Sequence, residues 1–166
     1  LVDYPNAREE AEIVRRMGAH RPVARPVLDP ATLRALQDLA ADNFVHDAVL
    51  DYAVRLVLAT RESEHHGVGD LAPLIAHGVS PRGTLGLVAA GRALALIRGR
   101  RYVLPQDIYD VARDVLRHRV LLTFEAVAEG VQAEAVVERV VSTVVAPRVS
   151  PSQDGPIVHE AVGSAA

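Results

Sequence analysis

Residues 78–84, together with the apolar segment 85–97 that follows them, restrict the fold of this chain more than any other stretch. Ser80 suits the N-cap of a helix, and Pro81 suits its first position, where no backbone N–H is needed. Beyond this start, leucine, valine, isoleucine and alanine cover most of the helical circumference, and only Arg92 interrupts them. A helix that is apolar nearly all round is typical of a bundle interior. The sequence therefore predicts a buried central helix.

Arg82 falls in the first turn of this predicted helix. The N-terminus of a helix carries partial positive charge, so a cation there is unfavourable unless an anion compensates it. The unpaired N–H groups, the Ser80 hydroxyl and the guanidinium together would form a phosphate site. The alternative is an ordinary surface arginine, and this stretch considered alone favours that alternative.

Composition excludes several classes of protein and site. The chain has 166 residues, 49% of them hydrophobic and 4% aromatic, which is enough for one domain with a core of Leu, Val, Ile and Ala. A formal net charge of -3 without a long charge run argues against nucleic-acid binding driven by bulk electrostatics. No apolar run reaches membrane-spanning length, and no cysteine is present for disulfides or thiolate metal sites. All 18 basic residues are arginine, which excludes a P-loop and lysine Schiff-base chemistry within this chain.

Helix caps and apolar spacings of three and four predict further helices with short connections. These are a helix from Asn6 to Gly18, one opened by Asp29 and Pro30, one capped by Asp47, one starting at Pro105, and a valine-rich one over 136–145. Two prolines within residues 20–26 indicate an extended connector and a domain boundary. Together these helices predict an all-α helical bundle, with at most a very short two-stranded pairing near residues 102–103 and 121–123.

Residues 62–79 are the least regular part of the middle of the chain. His65, His66 and His77 raise the hypothesis of a metal-binding domain. Adjacent histidines on a loop lack the fixed spacing of a helical metal site, so no metal ligand is predicted. Residues 148–166 are rich in serine, glycine and proline and are expected to form a disordered tail.

No self-sufficient catalytic arrangement is visible in the sequence. Ser80 lacks the context of a nucleophile elbow, and no pair of carboxylates stands out as acid and base. A free-standing α-helical interaction module therefore stays open, including a helix-turn-helix with residues 105–119 as its DNA-recognition helix. Recognition helices usually read bases from their N-terminal part, which is acidic in this chain.

Three motifs resemble the C-terminal part of the MoxR family of AAA+ ATPases, which reads roughly G-A-S-P-R-A, then G-R-x-Y-V-x-P-x-D-I, then V-L-x-H-R. In this chain they are Gly78-Val79-Ser80-Pro81-Arg82-Gly83, residues 99–108 (GRRYVLPQDI) and residues 115–120 (VLRHRV). Tyr4-Pro5-Asn6 is similar to the end of the family's ATPase core, and Gly130-Val131 with the valine-rich helix is similar to its closing G-V-x-A-E-x-V segment. The resemblance covers roughly residues 1–147. The family's usual alanine after the arginine is Gly83 here, a small departure that we expect to be harmless.

The resemblance implies a catalytic role for Arg82 as the family's sensor-2 arginine. Such a residue reaches the γ-phosphate of ATP bound in the core and reports hydrolysis by moving the lid. Ser80, Pro81, Tyr4 and Pro5 would border the bound nucleotide. This assignment supplies the anion that the helix start lacks, and it reverses the preference for an ordinary surface arginine.

The resemblance also implies that residues 1–25 end the AAA+ core and connect it to a helical lid at 26–147. The full-length protein would use ATP and Mg²⁺ as a cytoplasmic chaperone, a hexameric ring that remodels or activates partners with von Willebrand factor A domains. Its lid would contact its own core and neighbouring subunits, without nucleic acid or membrane insertion. Walker A, Walker B, sensor 1 and the arginine finger are absent from this chain, so we expect ATP hydrolysis only from the full-length protein and no cofactor on the chain alone.

Overall fold

The computed structural model describes residues 3–18 and 23–148, which are mostly helical. Their α-helices are α1 (Ala7–Gly18), α2 (Pro30–Ala41), α3 (Asp47–Ala59), α4 (Pro81–Ile97), α5 (Pro105–Leu116), α6 (Phe124–Ala128) and α7 (Ala133–Thr143). Two 3₁₀ helices (Ser63–His66 and Gly69–Leu74) and two strands, β1 (Ile75–His77) and β2 (Leu121–Leu122), complete the described elements. The predicted all-α fold is confirmed. The chain divides into two compact units, with the boundary between Arg34 and Ala35.

The first unit contains α1, which begins with the predicted capping box. The Asn6 side-chain oxygen accepts hydrogen bonds from the backbone N–H groups of Arg8 and Glu9, both at 3.0 Å. The Glu9 carboxylate in return accepts from the Asn6 N–H at 2.9 Å. The described part of the helix extends to Gly18, the residue at which the sequence predicts its end. No side chain of α1 is buried, so this helix contributes nothing to a core within the described residues.

The helix starts marked by proline are also confirmed. The Asp29 carboxylate accepts from the Thr32 N–H at 2.8 Å, and α2 begins at Pro30. Helix α3 corrects a prediction, because its N-cap is His46 and not Asp47, which is already helical. The His46 ring nitrogen accepts from the Ala48 N–H at 3.1 Å and so performs the capping role that the carboxylate was expected to have.

The core of the second unit is built from α3, α4, α5 and α7. The largest fully buried side chains from these helices are Val49, Tyr52, Leu56, Val57, Leu87, Ile108, Leu116, Val136, Val137 and Val140. The valine-rich segment is helical, as its spacing predicts, and it buries one face of adjacent valines. It ends at Thr143, two residues before the predicted end, and the described chain continues to residue 148. Residues 149–166 of the predicted tail lie outside the described residues.

Helix α4 is less buried than its composition predicts. Its buried residues form a single stripe at intervals of four: Gly83, Leu87, Gly91 and Ala95. Leu85 is 71% exposed and Ile97 is 81% exposed, so the helix is not enclosed on all sides by the described residues. Its closest neighbours are α5 and α3, which cover one side. The helix therefore lies on the core rather than at its centre.

The predicted pairing of residues 102–103 with 121–123 is half wrong. Strand β2 does lie at Leu121–Leu122, but its antiparallel partner is β1, with Ile75 opposite Leu122. Tyr102 instead forms an isolated parallel bridge with Phe44. Backbone hydrogen bonds join Phe44 to the residues on either side of Tyr102 and hold this segment beside the residues that follow α2. The segment 62–79 is correspondingly more regular than expected, since it contains both 3₁₀ helices and β1.

No helix among the described residues combines the length and the apolar character needed to cross a membrane.

Candidate functional site

The start of α4 is pressed closely against the end of α3. A Cβ atom added to Gly78 would lie 2.7 Å from the carbonyl carbon of Thr60, so no larger residue fits without moving backbone. The next residue, Val79, is fully buried, and its N–H donates to the Thr60 hydroxyl at 2.9 Å. The chain that leads into α4 is therefore fixed to α3 by both packing and a hydrogen bond.

Ser80 occupies the predicted N-cap position, with φ -72° and ψ 168°, and Pro81 follows as the first helical residue. The Ser80 hydroxyl makes no capping hydrogen bond, whereas its carbonyl accepts from the Gly83 N–H at 2.8 Å. Ser80, Pro81 and Arg82 are all exposed. The structure thus brings these three predicted site residues together at an open helix end, with the serine hydroxyl uncommitted by the described residues.

Arg82 has no anionic partner within the described part of the chain. No ion pair joins its guanidinium to a carboxylate of residues 3–18 or 23–148. Other arginines of the second unit do pair with carboxylates: Arg55, Arg98, Arg100, Arg113, Arg117 and Arg139. An exposed cation in the first turn is repelled by the helix dipole, so this position favours an anion from outside the described residues.

Arg98 and Arg100 lie near the other end of α4, and both already pair with a carboxylate. Both donate to the Asp107 carboxylate, Arg98 at 2.9 Å and Arg100 at 2.6 and 2.7 Å. Asp107 is fully buried, and it also accepts from the Leu104 N–H at 2.8 Å. Burial raises the pKa of Asp107, but hydrogen bonds from Arg100 and its other donors outweigh burial and hold the pKa below its usual value of 3.8. This cluster joins the end of α4 to the start of α5, and both of its arginines are committed to a carboxylate.

The same contacts bear on the helix-turn-helix alternative. Asp107 is buried in the first turn of α5, and Asp110 in the next turn pairs with Arg98 at 2.6 Å. The part of α5 that would face DNA bases is therefore acidic and tied to the preceding turn, which argues against base reading.

An open cleft borders the start of α4 on the side of β1. It is lined by residues 60–65, residue 72 and residues 75–78, which include Glu62, Glu64, His65 and His77. No group of three or more His, Asp or Glu side chains in the described ranges is arranged to hold a metal ion. The cleft is a charged surface beside Gly78.

Tyr4 and Pro5 lie in the first unit, before α1, and both are exposed. Their assignment to a nucleotide pocket stays a prediction. By contrast, Thr60 was not expected at the site, although together with Gly78 it fixes the geometry there. The sequence shows Thr60 only as one residue of an apolar helical stripe, and nothing local indicates that its hydroxyl bonds a residue 19 positions later.

The chain is similar in sequence to a known domain family and to known proteins. The AAA lid domain family matches residues 70–140. Chaperone MoxR1 of Mycobacterium tuberculosis is 50% identical over 149 residues, which are 90% of this chain and 40% of that protein. The uncharacterized protein YeaC of Bacillus subtilis is 34% identical over 146 residues, 87% of this chain and 43% of that protein. The chain thus spans less than half the length of these curated relatives.

A solved structure is similar to this chain in fold. The crystal structure of a predicted ATPase from Cytophaga hutchinsonii matches with a TM-score of 0.80 at 28% identity, over 89% of this chain and 45% of that one. The sequence motifs, the lid-domain match and this structural likeness agree on one family. The chain therefore belongs to the MoxR-type AAA+ proteins and carries their lid region.

Proposed function

We propose that Arg82 is the sensor-2 residue of this lid and contacts the γ-phosphate of ATP bound by the core of the full-length protein. The observation that carries the proposal is the exposed guanidinium in the first turn of α4, without an ion-pair partner in the part of the chain that the structure describes. A phosphate at this position would meet unpaired N–H groups and a positive helix end as well as the arginine.

In the full-length protein, the lid would couple ATP binding and hydrolysis to the remodelling or activation of partner proteins. Ser80 and Pro81 would border the nucleotide from the lid, and Tyr4 and Pro5 would border it from the end of the core. The phosphates of ATP, bound with Mg²⁺, would supply the negative charge that pairs with Arg82. The name of the Mycobacterium tuberculosis relative, a chaperone, supports this kind of activity.

The wider assembly follows from the same family. We propose that the full-length protein forms a hexameric ring in the cytoplasm, where each lid contacts its own core and a neighbouring subunit. Proteins with von Willebrand factor A domains are the proposed partners. The P-loop of the ring must lie outside this chain, because the chain contains no lysine.

The test is ATP turnover by the full-length protein with Arg82→Ala. Removing one charged ligand of the transferred phosphate should lower kcat about 100-fold. Arg101→Ala is the matched control, since Arg101 is also exposed and pairs with no carboxylate of the described residues, but lies just beyond the other end of α4. Unchanged turnover in Arg82→Ala, or an equal loss in Arg101→Ala, would reject the sensor role.

A further inference from the structure

Thr60 holds a buried hydrogen-bond relay between α3 and the start of α4. The residue is the C-cap of α3 and is 1% exposed. Its hydroxyl donates to the Val57 carbonyl at 2.7 Å and accepts from the Val79 N–H at 2.9 Å. A hydroxyl has one proton to donate, so the bond to Val57 leaves its lone pairs directed at Val79. Both partners are therefore determined by the fold.

The start of α4 depends on this relay because it lacks an ordinary cap. The first N–H groups of any helix have no partner within the helix, which makes the first turn the part most easily frayed. The expected side-chain cap, Ser80, makes no such bond here. Val79 is the last buried residue before the exposed segment 80–82, and it lies three positions before Arg82.

Packing limits the ways in which this segment can move. Gly78 lies so close to Thr60 that a Cβ there would meet its backbone. Val79 packs against Gly83 on the other side of the first turn. With the Thr60 bond in place, the peptide unit between Gly78 and Val79 is held in one orientation, and the direction of the first helical turn follows from it.

We propose that Thr60 is a positioning residue for Arg82: its hydroxyl fixes Val79 and thereby the direction in which α4 presents the guanidinium. The inference rests on the proposed sensor role of Arg82. Thr60 is buried, so its effect on turnover would pass through Val79 and Arg82. Catalytic groups that are displaced by about 1 Å lose on the order of 100-fold in rate, so a modest loss of alignment should be measurable.

The experiment compares two substitutions in the full-length protein. Thr60→Val keeps the shape and removes the hydroxyl, whereas Thr60→Ser keeps the hydroxyl and removes a methyl group. We expect Thr60→Val to lower kcat about tenfold with a smaller change in KM, and Thr60→Ser to retain most of the wild-type kcat. Hydrogen exchange at the Val79 amide should accelerate in Thr60→Val and not in Thr60→Ser. Equal kcat in both variants and the wild type would overturn the proposal.

Ser63→Ala is the matched control. Ser63 is buried near the same helix end, but its hydroxyl bonds only the Ala59 carbonyl and does not reach the start of α4. Its loss should leave kcat unchanged, and a tenfold fall there would indicate a general structural effect and overturn the positioning role. If Thr60→Val does not fold, Thr60→Ala removes the same hydroxyl without adding a buried methyl group, and it is judged by the same criteria.

Combining Thr60→Val with Arg82→Ala separates the two proposals. If Thr60 acts through Arg82, the double variant should be no slower than Arg82→Ala alone, because the group that was misplaced is absent. Multiplied losses would overturn the positioning role and leave the sensor role intact. Unchanged turnover in Arg82→Ala alone would reject the sensor role itself.

Discussion

A methyl group of Val79 occupies the space that a Cβ atom on Gly83 would need. The two residues face each other across the first turn of α4, and both are buried. The family motif that this segment resembles has alanine at both positions. The chain therefore departs from the motif at both positions together: glycine replaces alanine at 83, and the larger valine at 79 fills the space that the alanine methyl group would take.

We expect the two positions to be energetically coupled. Gly83→Ala alone should destabilise the chain by about 1–3 kcal/mol, since Val79 must move to admit the new methyl group. Val79→Ala alone should cost about 2 kcal/mol for the lost methyl groups and the cavity. The double variant, which restores the family pair, should be close to wild type in urea unfolding. Additive losses would show that the two side chains do not compete for the same space.

Asp107 should be the most costly carboxylate to neutralise. Asp107→Asn leaves Arg98 and Arg100 without the charge that they share, and breaking such a buried pair costs about 3 kcal/mol. Asp114→Asn is the control, because Asp114 pairs with Arg117 on the surface, where such pairs contribute about 1 kcal/mol or less. Urea unfolding at pH 7 measures both. A loss in Asp107→Asn no greater than in Asp114→Asn would contradict the assigned role.

The Asp107 carboxylate should also make the free energy of unfolding depend on pH in the acidic range. Because the pKa of Asp107 is lower in the folded chain than its usual value of 3.8, the folded state binds protons less readily than the unfolded state. Its contribution is therefore complete above that usual pKa and is lost as the pH falls through the lower, folded value. Between about pH 5 and pH 2, the wild type should lose more unfolding free energy than Asp107→Asn. Parallel pH profiles would exclude Asp107 as the source.

Local signals in the sequence were sufficient to place most helix starts. Asp29-Pro30 and Ser80-Pro81 mark helix starts by chemistry that acts within three residues, so no knowledge of the fold is needed. The predicted N-cap of α3, Asp47, was wrong by one residue. The neighbouring His46 side chain also offers a hydrogen-bond acceptor to the first turn, and it is the residue that caps the helix. Helix α6 was missed because its five residues carry no periodic signal.

Features that depend on distant residues could not be predicted. Leu85 and Leu87 are the same residue type in the same helix. Leu85 is exposed and Leu87 is buried only because of where α3 and α5 pack against α4. Strand β2 was expected, but its partner β1 lies in a stretch whose sequence has no strand pattern. The burial of Asp107 against two arginines is a property of the folded turn, and nothing in the local sequence indicates it. Arg82 was found because its conflict with the dipole is visible locally.

Removing residues 1–25 should leave the second unit stable. Helix α1 buries no side chain, and its cap is made by residues of its own first turn. The unfolding free energy of a shortened chain that begins at Pro26, behind an added initiator methionine, should therefore lie within about 1 kcal/mol of the full chain, as judged by urea unfolding. A chain ending at Gly130 is the control, because it lacks α7 with its buried valines and should not fold. A large loss on removing residues 1–25 would show that α1 supports the lid.

Arg82 should combine a cost in stability with a benefit in function. Replacing it by Glu exchanges a repelled cation for an anion that the helix dipole favours, so the chain alone should gain about 0.3–1 kcal/mol in thermal unfolding at low salt. The gain should shrink as salt screens the charges. In the full-length protein, the same change should lower ATP turnover below that of Arg82→Ala, because a carboxylate repels the phosphate. Arg101→Glu, just beyond the other end of α4, lacks the favourable dipole and should give neither the gain nor the loss. If Arg82→Glu lowers both stability and turnover, damage to the fold accounts for the result, and the conflict between helix dipole and phosphate binding is rejected.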